Sequence, residues 1–393
     1  MRLFMLSWEY PPNIVGGIAR HVHDLVHAMA DEDTEIHVIT AKAGDLPAQE
    51  SEGPHLTIHR VALEHVHPYD FQLHIAQLNF AIAAKAIELA QHAPPDLIHA
   101  HDWLTAFAGA TLKHGLGLPL VATIHATEHG RNQGLWTDQQ RYISNVEWWL
   151  CYEAWQVIVC SEFMREEVRR LFSVPEDKLH VIYNGVDAKR FRNVRVPASF
   201  RRSFAADEEK IVFFVGRMVH EKGVHLLVEA APKVLRYLPN TKFVIAGGGC
   251  ADPYKARAAE LGLSDRFFFL GFIPDEMLLQ LYHVADVAVF PSLYEPFGIV
   301  ALEAMAAGVP VVVSDVGGFS SIVEHDVNGV KHYPGDPESL GWAILHVLMW
   351  PENSKKLVKR ASLDVTQKYD WAVLARRTRG VYNQVLEKAR RGG

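Results

Sequence analysis

Cysteine is scarce in this sequence, and long apolar runs are missing. Only Cys151, Cys160 and Cys250 occur among 393 residues, far apart and in no metal-ligand spacing. Such usage favours a reduced, cytoplasmic compartment over a disulfide-stapled secreted protein. No apolar run reaches the roughly 18 residues that a membrane-spanning helix needs. The N-terminal stretch MRLFMLSWEYPP has too short an apolar segment for a signal peptide. We therefore expect no stable membrane insertion.

Positive charge is also in deficit. Lys and Arg number 39 against 46 Asp and Glu, which gives a net charge of −7 and argues against a nucleic-acid-binding protein, because such proteins normally carry a basic surface. The 49% hydrophobic and 22% charged residues are ordinary for a globular enzyme. The length allows two or three domains. Nothing in the sequence indicates an oligomeric state.

The most informative stretch is residues 285–319, ADVAVFPSLYEPFGIVALEAMAAGVPVVVSDVGGF. Its pattern predicts a buried strand, a polar loop with Glu295, a helix opened by Gly298, and a second buried strand. Ligands of such parallel sheets bind outside the carboxyl ends of the strands, and a free helix start favours a phosphate. Glu295 and Glu303 can alternatively be ordinary helix-start and solvated residues. Glu303 lies in an otherwise apolar run, however, so it should be buried with a partner.

The segment EPFGIVALEAMAAGVPVV is similar to the E-x7-E signature of family 4 of the retaining glycosyltransferases, and the resemblance covers essentially the whole chain. It implies an α/β fold of two Rossmann-like, doubly wound parallel-sheet domains (GT-B) that face each other across a cleft. The expected acceptor domain is 1–190 with a crossover helix in 371–393, followed by a linker at 191–208 and a donor domain at 209–370.

The same resemblance implies donor contacts in the second domain. Glu303 would bind ribose hydroxyls, and Glu295 would contact hydroxyls of the transferred sugar. Further donor contacts are expected from Gly298, Phe297, Ile299, Ile273 and Gly247. From the residues alone, the loop that begins at Gly247 is either a phosphate-binding loop or simply a tight turn.

Two cations, Arg217 and Lys222, lie five residues apart in the first strand-to-helix loop of the second domain. They can reach one diphosphate, or they can be ordinary surface charges. GRMVHEKGV resembles the family's G-R-x4-K-G motif, which implies that Arg217 and Lys222 stabilise the leaving nucleoside diphosphate in place of a metal.

In the first domain, Gly16 and Gly17 follow the first strand and either form a plain turn or let the backbone approach a ligand closely. The resemblance places them near the donor's phosphate and sugar. Starch synthases of this family carry a lysine two residues earlier, where this chain has Ile14. That departure argues against close identity with that branch.

Two more segments of the first domain are candidates for sugar binding. The stretch HDW followed by TAFAG resembles glycogen synthases, which implies that Asp102, with Trp103 beside it, faces the acceptor or the transferred glucose. His125 follows a predicted strand at Leu120–Ile124; it is either a structural histidine or, by the resemblance, a contact to the transferred sugar. The loop 126–134 with Arg131 either shapes the acceptor site or is a solvent-exposed loop.

We expect no metal or other cofactor. Asp31-Glu32-Asp33 resembles a D-x-D metal motif, but it falls in a loop at the opposite sheet edge from the predicted site. His99-x-His101-Asp102 has no obvious third ligand group in the sequence.

The resemblance over essentially the whole chain implies a retaining, metal-independent glucosyltransferase, most similar within its family to glycogen synthases. It would move glucose from ADP-glucose or UDP-glucose to an α-glucan, with Arg217, Lys222, Glu295, His125 and Asp102 as catalytic residues. No covalent nucleophile stands out, which favours front-face attack with the leaving phosphate as base. The alternatives are another acceptor (glucose 1-phosphate, another sugar or a lipid), a glycan phosphorylase, or a non-catalytic nucleotide-sugar-binding subunit.

Overall fold

In the computed structural model, the described residues are 1–63, 70–192 and 194–392. They form two compact units, Met1–Asn184 together with the helix that starts at Trp371, and Gly185–Asp370. Each unit is an α/β layer structure around its own sheet. The His- and Pro-rich composition of residues 64–74 predicts an irregular loop. Residues 64–69 of that loop, and residue 193 of the predicted linker, lie outside the described residues.

The first unit contains an eight-stranded sheet. Its strands are β1 (Arg2–Leu6), β2 (Glu35–Ala41), β3 (Gln49–Ser51), β4 (Leu56–Val61), β5 (Leu97–His101), β6 (Leu120–Ile124), β7 (Gln156–Val159) and β8 (Leu179–Val181). The spatial order is β3-β4-β2-β1-β5-β6-β7-β8. All neighbours pair in parallel except β3, which is antiparallel to β4. Strands β5, β6 and β7 are buried at every position, as expected of parallel strands covered by helices on both faces.

The helices of this part are α1 (Gly17–Met29), α2 (Phe71–His92), α3 (Ala106–Leu116), α4 (Glu128–Arg131), α5 (Asp138–Glu153) and α6 (Glu162–Phe172). Two predicted loops are partly helical. Residues 71–74 belong to α2, since the Asp70 carboxylate accepts a hydrogen bond from the Leu73 amide and starts the helix there. The loop 126–134 contains α4, whose N-terminus is capped by Thr127.

The second unit contains a six-stranded, wholly parallel sheet. Its strands are β9 (Lys210–Val215), β10 (Thr241–Ala246), β11 (Phe267–Gly271), β12 (Val287–Phe290), β13 (Val311–Ser314) and β14 (Val330–His332), in the order β11-β10-β9-β12-β13-β14. The helices are α7 (Ala188–Arg192), α8 (Ala198–Arg202), α9 (Val224–Tyr237), α10 (Asp252–Glu260), α11 (Asp275–Val284), α12 (Ile299–Ala307), α13 (Phe319–Ile322), α14 (Pro337–Met349) and α15 (Pro351–Lys368). The fold class is thus the predicted one, with two parallel-sheet α/β domains.

The segment predicted as a linker carries structure of its own. Helix α8 lies inside 191–208, and the Arg201 guanidinium donates to the Glu209 carbonyl and the Asp286 carboxylate, so this segment packs on the second unit. The last helix, α16 (Trp371–Gly392), packs on the first unit, where Tyr382 bonds to His99 at 2.6 Å and the Trp371 indole donates to Asp24.

Within the described residues, no helix combines the length and the apolar character that crossing a membrane requires.

Candidate functional site

In the second unit, the turn after β9 lies directly against the carboxyl end of β12. Gly223 has φ +72°, and a Cβ at this position would lie 1.9 Å from the Pro291 carbonyl oxygen. The Leu293 amide donates to the Glu221 carbonyl at 2.8 Å, which ties the two loops together. Only glycine fits this approach, because any side chain would overlap with backbone.

This approach pairs the two groups that the sequence analysis assigned to donor chemistry. The Lys222 ammonium donates to Glu295 Oε2 at 2.7 Å, and the Ser292 hydroxyl donates to the same oxygen at 3.3 Å. Glu295 is only 7% exposed. A charge-assisted bond in such a poorly hydrated place is stronger than a surface ion pair.

Arg217 lies in the same loop. Its side chain is 51% exposed, and its guanidinium is 3.3 Å from the Glu221 carboxylate. An exposed pair of this kind contributes about 0–1 kcal/mol, so the guanidinium can exchange this partner for a bound anion at little cost.

The neighbouring strand ends are tied to this loop through glycines. Gly247 has φ +136°, a Cβ there would lie 1.8 Å from the Gly216 carbonyl oxygen, and its amide donates to Gly271. The Gly318 amide donates to the Glu295 carbonyl at 2.7 Å. The carboxyl ends of β9, β10, β11, β12 and β13 therefore form one connected edge. Ile273, two residues after β11, is buried at that edge.

Helix α12 begins at this edge and carries Glu303. Its N-cap residue, Gly298, has no side-chain capping bond, so the first amides of the helix are available to an anion. The Phe297 ring packs against Tyr369 and Ile299 is partly exposed, so any contact from Phe297 must come from its main chain. Glu303 is 4% exposed and accepts a hydrogen bond from the Tyr282 hydroxyl at 3.0 Å. The prediction that Glu303 is buried with a partner is confirmed, which removes the solvated alternative.

In the first unit, Asp102 follows β5 in a backbone conformation that is unusual for a residue with a side chain, with φ +57°. Its Oδ1 accepts from the His125 amide at 2.7 Å. No described residue donates a hydrogen bond to its buried Oδ2, and the Arg131 guanidinium is 3.9 Å away. Burial raises the pKa of this carboxyl to about 6, although Arg131 and the His125 and Ala126 amides lower it. Asp102 thus keeps an unsatisfied acceptor that a ligand hydroxyl can satisfy.

His125 sits at the end of β6, next to this carboxylate. Its ring shares a hydrogen bond of 2.9 Å with His101 and meets His21 edge-on. Burial, reinforced by the charge of Arg131, lowers the pKa of His125 to about 3. The imidazole is therefore neutral at pH 7 and can take part in hydrogen bonds but supplies no positive charge.

Trp103 does not offer a ring face. It is 4% exposed and its indole packs edge-on against Phe71. The ring is engaged in packing in this structure, and the acceptor contact assigned to Trp103 stays a prediction. Trp103 begins the 3-10 turn Trp103–Thr105, which packs against α2 and α3. Its aromatic ring therefore contributes to packing.

The structure also assembles a histidine group that the sequence analysis missed. Helix α1 brings His21 to His101 and His125, with the three candidate ligand atoms within 4.8 Å of one another. These residues could hold a metal by type alone. However, both ring nitrogens of His101 already have partners, since Nδ1 shares a hydrogen bond with His125 and Nε2 lies 2.8 Å from the Met5 sulfur. Asp31 belongs to the D-x-D segment that was rejected above as a metal motif, and it forms an ion pair with Arg379 at 2.6 Å.

Gly16 and Gly17 are positioned by Glu9, a second residue that sequence reasoning missed. The buried Glu9 carboxylate accepts hydrogen bonds from the Val15 and Gly16 amides, and burial raises its pKa. Gly17 then opens α1, which has no side-chain capping bond at Gly16. The available signal was a carboxylate three residues after the apolar strand β1, because a buried charge at such a position requires a partner.

Replacing Gly223 by alanine tests the approach of the β9 turn to β12. We expect Gly223→Ala to lower the free energy of unfolding by about 3–5 kcal/mol, from backbone strain plus overpacking. Gly262→Ala is the matched control, because Gly262 has the same φ of +72° but nothing within 4 Å of its Cβ position. It should lose only about 1–2 kcal/mol. Urea unfolding measures both, and equal losses would contradict the close approach.

Asp102 should lower stability at neutral pH. The pKa of Asp102 is raised to about 6 in the folded protein, so ionising this carboxyl costs more free energy in the folded state than in the unfolded state. The resulting loss of stability is absent at low pH and complete above about pH 6. Asp102→Asn should therefore stabilise the protein by about 2–3 kcal/mol at pH 7.5 and by about half of that at pH 5. The exposed Asp138→Asn should change little at either pH. A loss of stability for Asp102→Asn at pH 7.5 would disprove this account.

Comparison with known proteins agrees with this geometry. A family described as Glycosyltransferase Family 4 matches residues 15–190, and one described as Glycosyl transferases group 1 matches residues 196–364. The chain is 41% identical to an uncharacterized glycosyltransferase of Methanocaldococcus jannaschii over 98% of this chain and 99% of the relative. It is 36% identical to a glycogen synthase of Mycobacterium tuberculosis over 97% of this chain and 94% of the relative.

Among solved structures, a sucrose-phosphate synthase from Thermosynechococcus elongatus matches with a TM-score of 0.86 and 26% identity, over 98% of this chain and 99% of that chain. Both family descriptions, the long alignments and the shared fold agree with the resemblance seen in the E-x7-E segment. The chain therefore belongs to the family 4 glycosyltransferases of the GT-B fold and is similar to glycogen synthase.

Proposed function

We propose that this glycosyltransferase moves glucose, with retention and without a metal, from a nucleoside-diphosphate glucose to an α-glucan. The observation that carries the proposal is the Lys222–Glu295 pair at 2.7 Å, at the joined carboxyl ends of β9 and β12. It supplies one cation for phosphate and one carboxylate for sugar hydroxyls at the edge where ligands of parallel sheets bind. The 36% identity to a glycogen synthase supports glucose and glucan as the substrates.

The donor would rearrange this pair. A diphosphate attracts Lys222 and the half-exposed Arg217, and Lys222 then leaves Glu295. The freed carboxylate accepts hydrogen bonds from hydroxyls of the glucose. Glu303 takes the ribose hydroxyls, while the free amides of α12 after Gly298 face phosphate. Main-chain groups near Gly247 and Ile273 are the remaining donor contacts in this unit.

In the first unit, we assign sugar contacts to Asp102 and His125. The unsatisfied Oδ2 of Asp102 accepts a hydroxyl, and Arg131 keeps this carboxylate oriented from 3.9 Å away. His125 contributes a neutral ring or its carbonyl. Gly16 and Gly17, held by Glu9, let the backbone approach the donor closely.

The reaction would proceed on one face of the sugar. As the glycosidic bond to phosphate breaks, Arg217 and Lys222 stabilise the developing diphosphate charge, which is the task a metal performs in other transferases. The departing phosphate oxygen takes the proton of the acceptor hydroxyl while that hydroxyl forms the new bond on the same face. This route retains the configuration without a covalent intermediate.

A neutral acceptor fits the charges near Asp102 better than a phosphorylated one. Arg131 already has two carboxylate neighbours, Asp102 at 3.9 Å and Glu128 at 3.7 Å. Arg141 is bound to Asp138 at 2.7 Å. An acceptor phosphate would have to displace these carboxylates, so an α-glucan is favoured over glucose 1-phosphate. We also propose a cytoplasmic location, supported by the low cysteine content of three in 393 residues.

A small matrix of assays tests the function. The protein is incubated with ADP-glucose or UDP-glucose, each with glycogen, maltose, glucose 1-phosphate or no acceptor, in the presence of a chelator, while diphosphate release is followed. We expect release with glycogen or maltose and one preferred nucleotide, with an α-linked product by NMR. Release only with glucose 1-phosphate would replace the glucan by a small phosphorylated disaccharide. Release without acceptor beyond slow hydrolysis, or dependence on added metal, would contradict the proposed chemistry.

Removing either member of the pair tests the mechanism. Lys222→Ala and Glu295→Ala should each reduce turnover by about 100-fold or more, as loss of a charge-stabilising group typically does. The matched control is Lys210→Ala, because Lys210 pairs with Asp286 at 3.0 Å at the opposite ends of the same two strands. The control should retain turnover within about twofold. Losses below tenfold, equivalent to about 1.4 kcal/mol of barrier, would reject the assignment.

A further inference from the structure

We infer that His23, His27 and Glu52 form a binding site for one divalent transition-metal ion of the zinc class, separate from the groups assigned to catalysis. His23 and His27 lie one turn apart on α1, and Glu52 follows β3. One candidate ligand atom from each residue lies within 4.8 Å of the other two. All three side chains are accessible to solvent, so an ion can enter.

Each imidazole is already oriented as a metal ligand. His27 Nδ1 donates to the His23 carbonyl at 2.7 Å, and His23 Nδ1 contacts the Asp24 carboxylate at 2.8 Å. With Nδ1 engaged in each ring, Nε2 is the nitrogen that carries the lone pair in the neutral form. Ligating histidines commonly donate their other N–H to a carbonyl or a carboxylate, which fixes the tautomer and the ring orientation.

The carboxylate ligand is supported in the same way. The Tyr10 hydroxyl donates to Glu52 Oε2 at 2.7 Å. That oxygen also lies 3.2 Å from His27 Nε2, close to the roughly 3.3 Å that separates two ligands bound to tetrahedral zinc by bonds of about 2.0 Å. The outer partner Asp24 is itself held by the Trp371 indole at 3.1 Å.

The ligand set selects the ion. Two imidazole nitrogens and one carboxylate oxygen are a typical zinc set, with water as the fourth ligand, whereas calcium and magnesium prefer oxygen ligands. An ion pair of His27 with Glu52 alone would explain the 3.2 Å contact. It would not explain why the His23 ring lies beside the His27 ring, with centroids 4.1 Å apart and ring planes tilted by 34°, a placement that charged rings would oppose and a shared cation would favour.

Occupation of this site would connect three segments of the first unit. The ion would join α1 to the β3–β4 turn. Because the Tyr10 hydroxyl bonds to Glu52, the ion would also be linked indirectly to the loop that carries Glu9 and the Gly16 turn. Its expected effect is on stability, because a ligand that binds only the folded state raises the unfolding temperature in a concentration-dependent way.

Untagged, chelator-stripped full-length protein is titrated with Zn²⁺ by calorimetry and with Co²⁺ by visible absorption. We expect one Zn²⁺ per chain, a tetrahedral Co²⁺ spectrum, and a Zn²⁺-dependent rise in unfolding temperature. His23→Gln, His27→Gln and Glu52→Gln should each weaken binding by about 100-fold or more, and Asp24→Asn by about tenfold, as outer partners of metal ligands do. His114→Gln is the matched control, since it removes a surface histidine that pairs with a single carboxylate, Glu153 at 2.8 Å, among the described residues; it should bind like the wild type.

Two results would overturn the site. Wild-type protein that binds no Zn²⁺ would do so, and so would a single bound Zn²⁺ that persists unchanged in both His23→Gln and His27→Gln. In the second case the buried group of His21, His101 and His125 would be the binding site. Metal-free unfolding curves of all variants exclude misfolding, and two single-histidine variants prevent one unstable protein from deciding the outcome.

Discussion

The contact of the Gly223 turn with the Pro291 carbonyl is the constraint on which the second unit's functional edge depends. It joins the loops of two adjacent parallel strands so tightly that a Cβ would lie 1.9 Å from backbone. Only after this approach can Lys222 reach Glu295 at 2.7 Å. Glycines at 247, 298 and 318 repeat the principle around the same edge, since each lies against neighbouring backbone or the Phe319 ring. Glycines, which have no side chain, therefore position the functional side chains of this edge.

The carboxylates at the proposed sites of the two units differ in how completely their buried charge is compensated. In the second, opposite charges compensate each other, as in the pair of Lys222 and Glu295, or a hydroxyl meets the carboxylate, as Tyr282 does with Glu303. In the first, Asp102 receives only part of its compensation, and burial raises its pKa to about 6. Incomplete compensation of a buried group lowers stability and is a common feature of binding sites. A substrate hydroxyl would complete the hydrogen bonding of Asp102.

The C-terminal helix α16 contributes to both proposed sites of the first unit without entering either. Tyr382 bonds to His99 on β5, the strand that leads to Asp102. Trp371 bonds to Asp24, which orients His23 of the proposed metal site. The last part of the chain thus supports residues more than 250 positions earlier, an arrangement that no local pattern reveals.

The sequence by itself determined the family, the two parallel-sheet domains, most strand positions and the burial of Glu303, because short apolar runs, glycine turns and the E-x7-E spacing are local properties. Tertiary structure alone decided the rest. Trp103 faces inward because of the fold of its turn, Glu9 reaches forward to the Gly16 amide, and α1 brings His21 to His101. Burial raises the pKa of Glu9 and of Asp102 in the first unit, and burial depends on distant segments and leaves no periodic signal. The same reason hid the grouping of His23 and His27 with Glu52, since these residues become neighbours only when β3 and β4 pair beside α1.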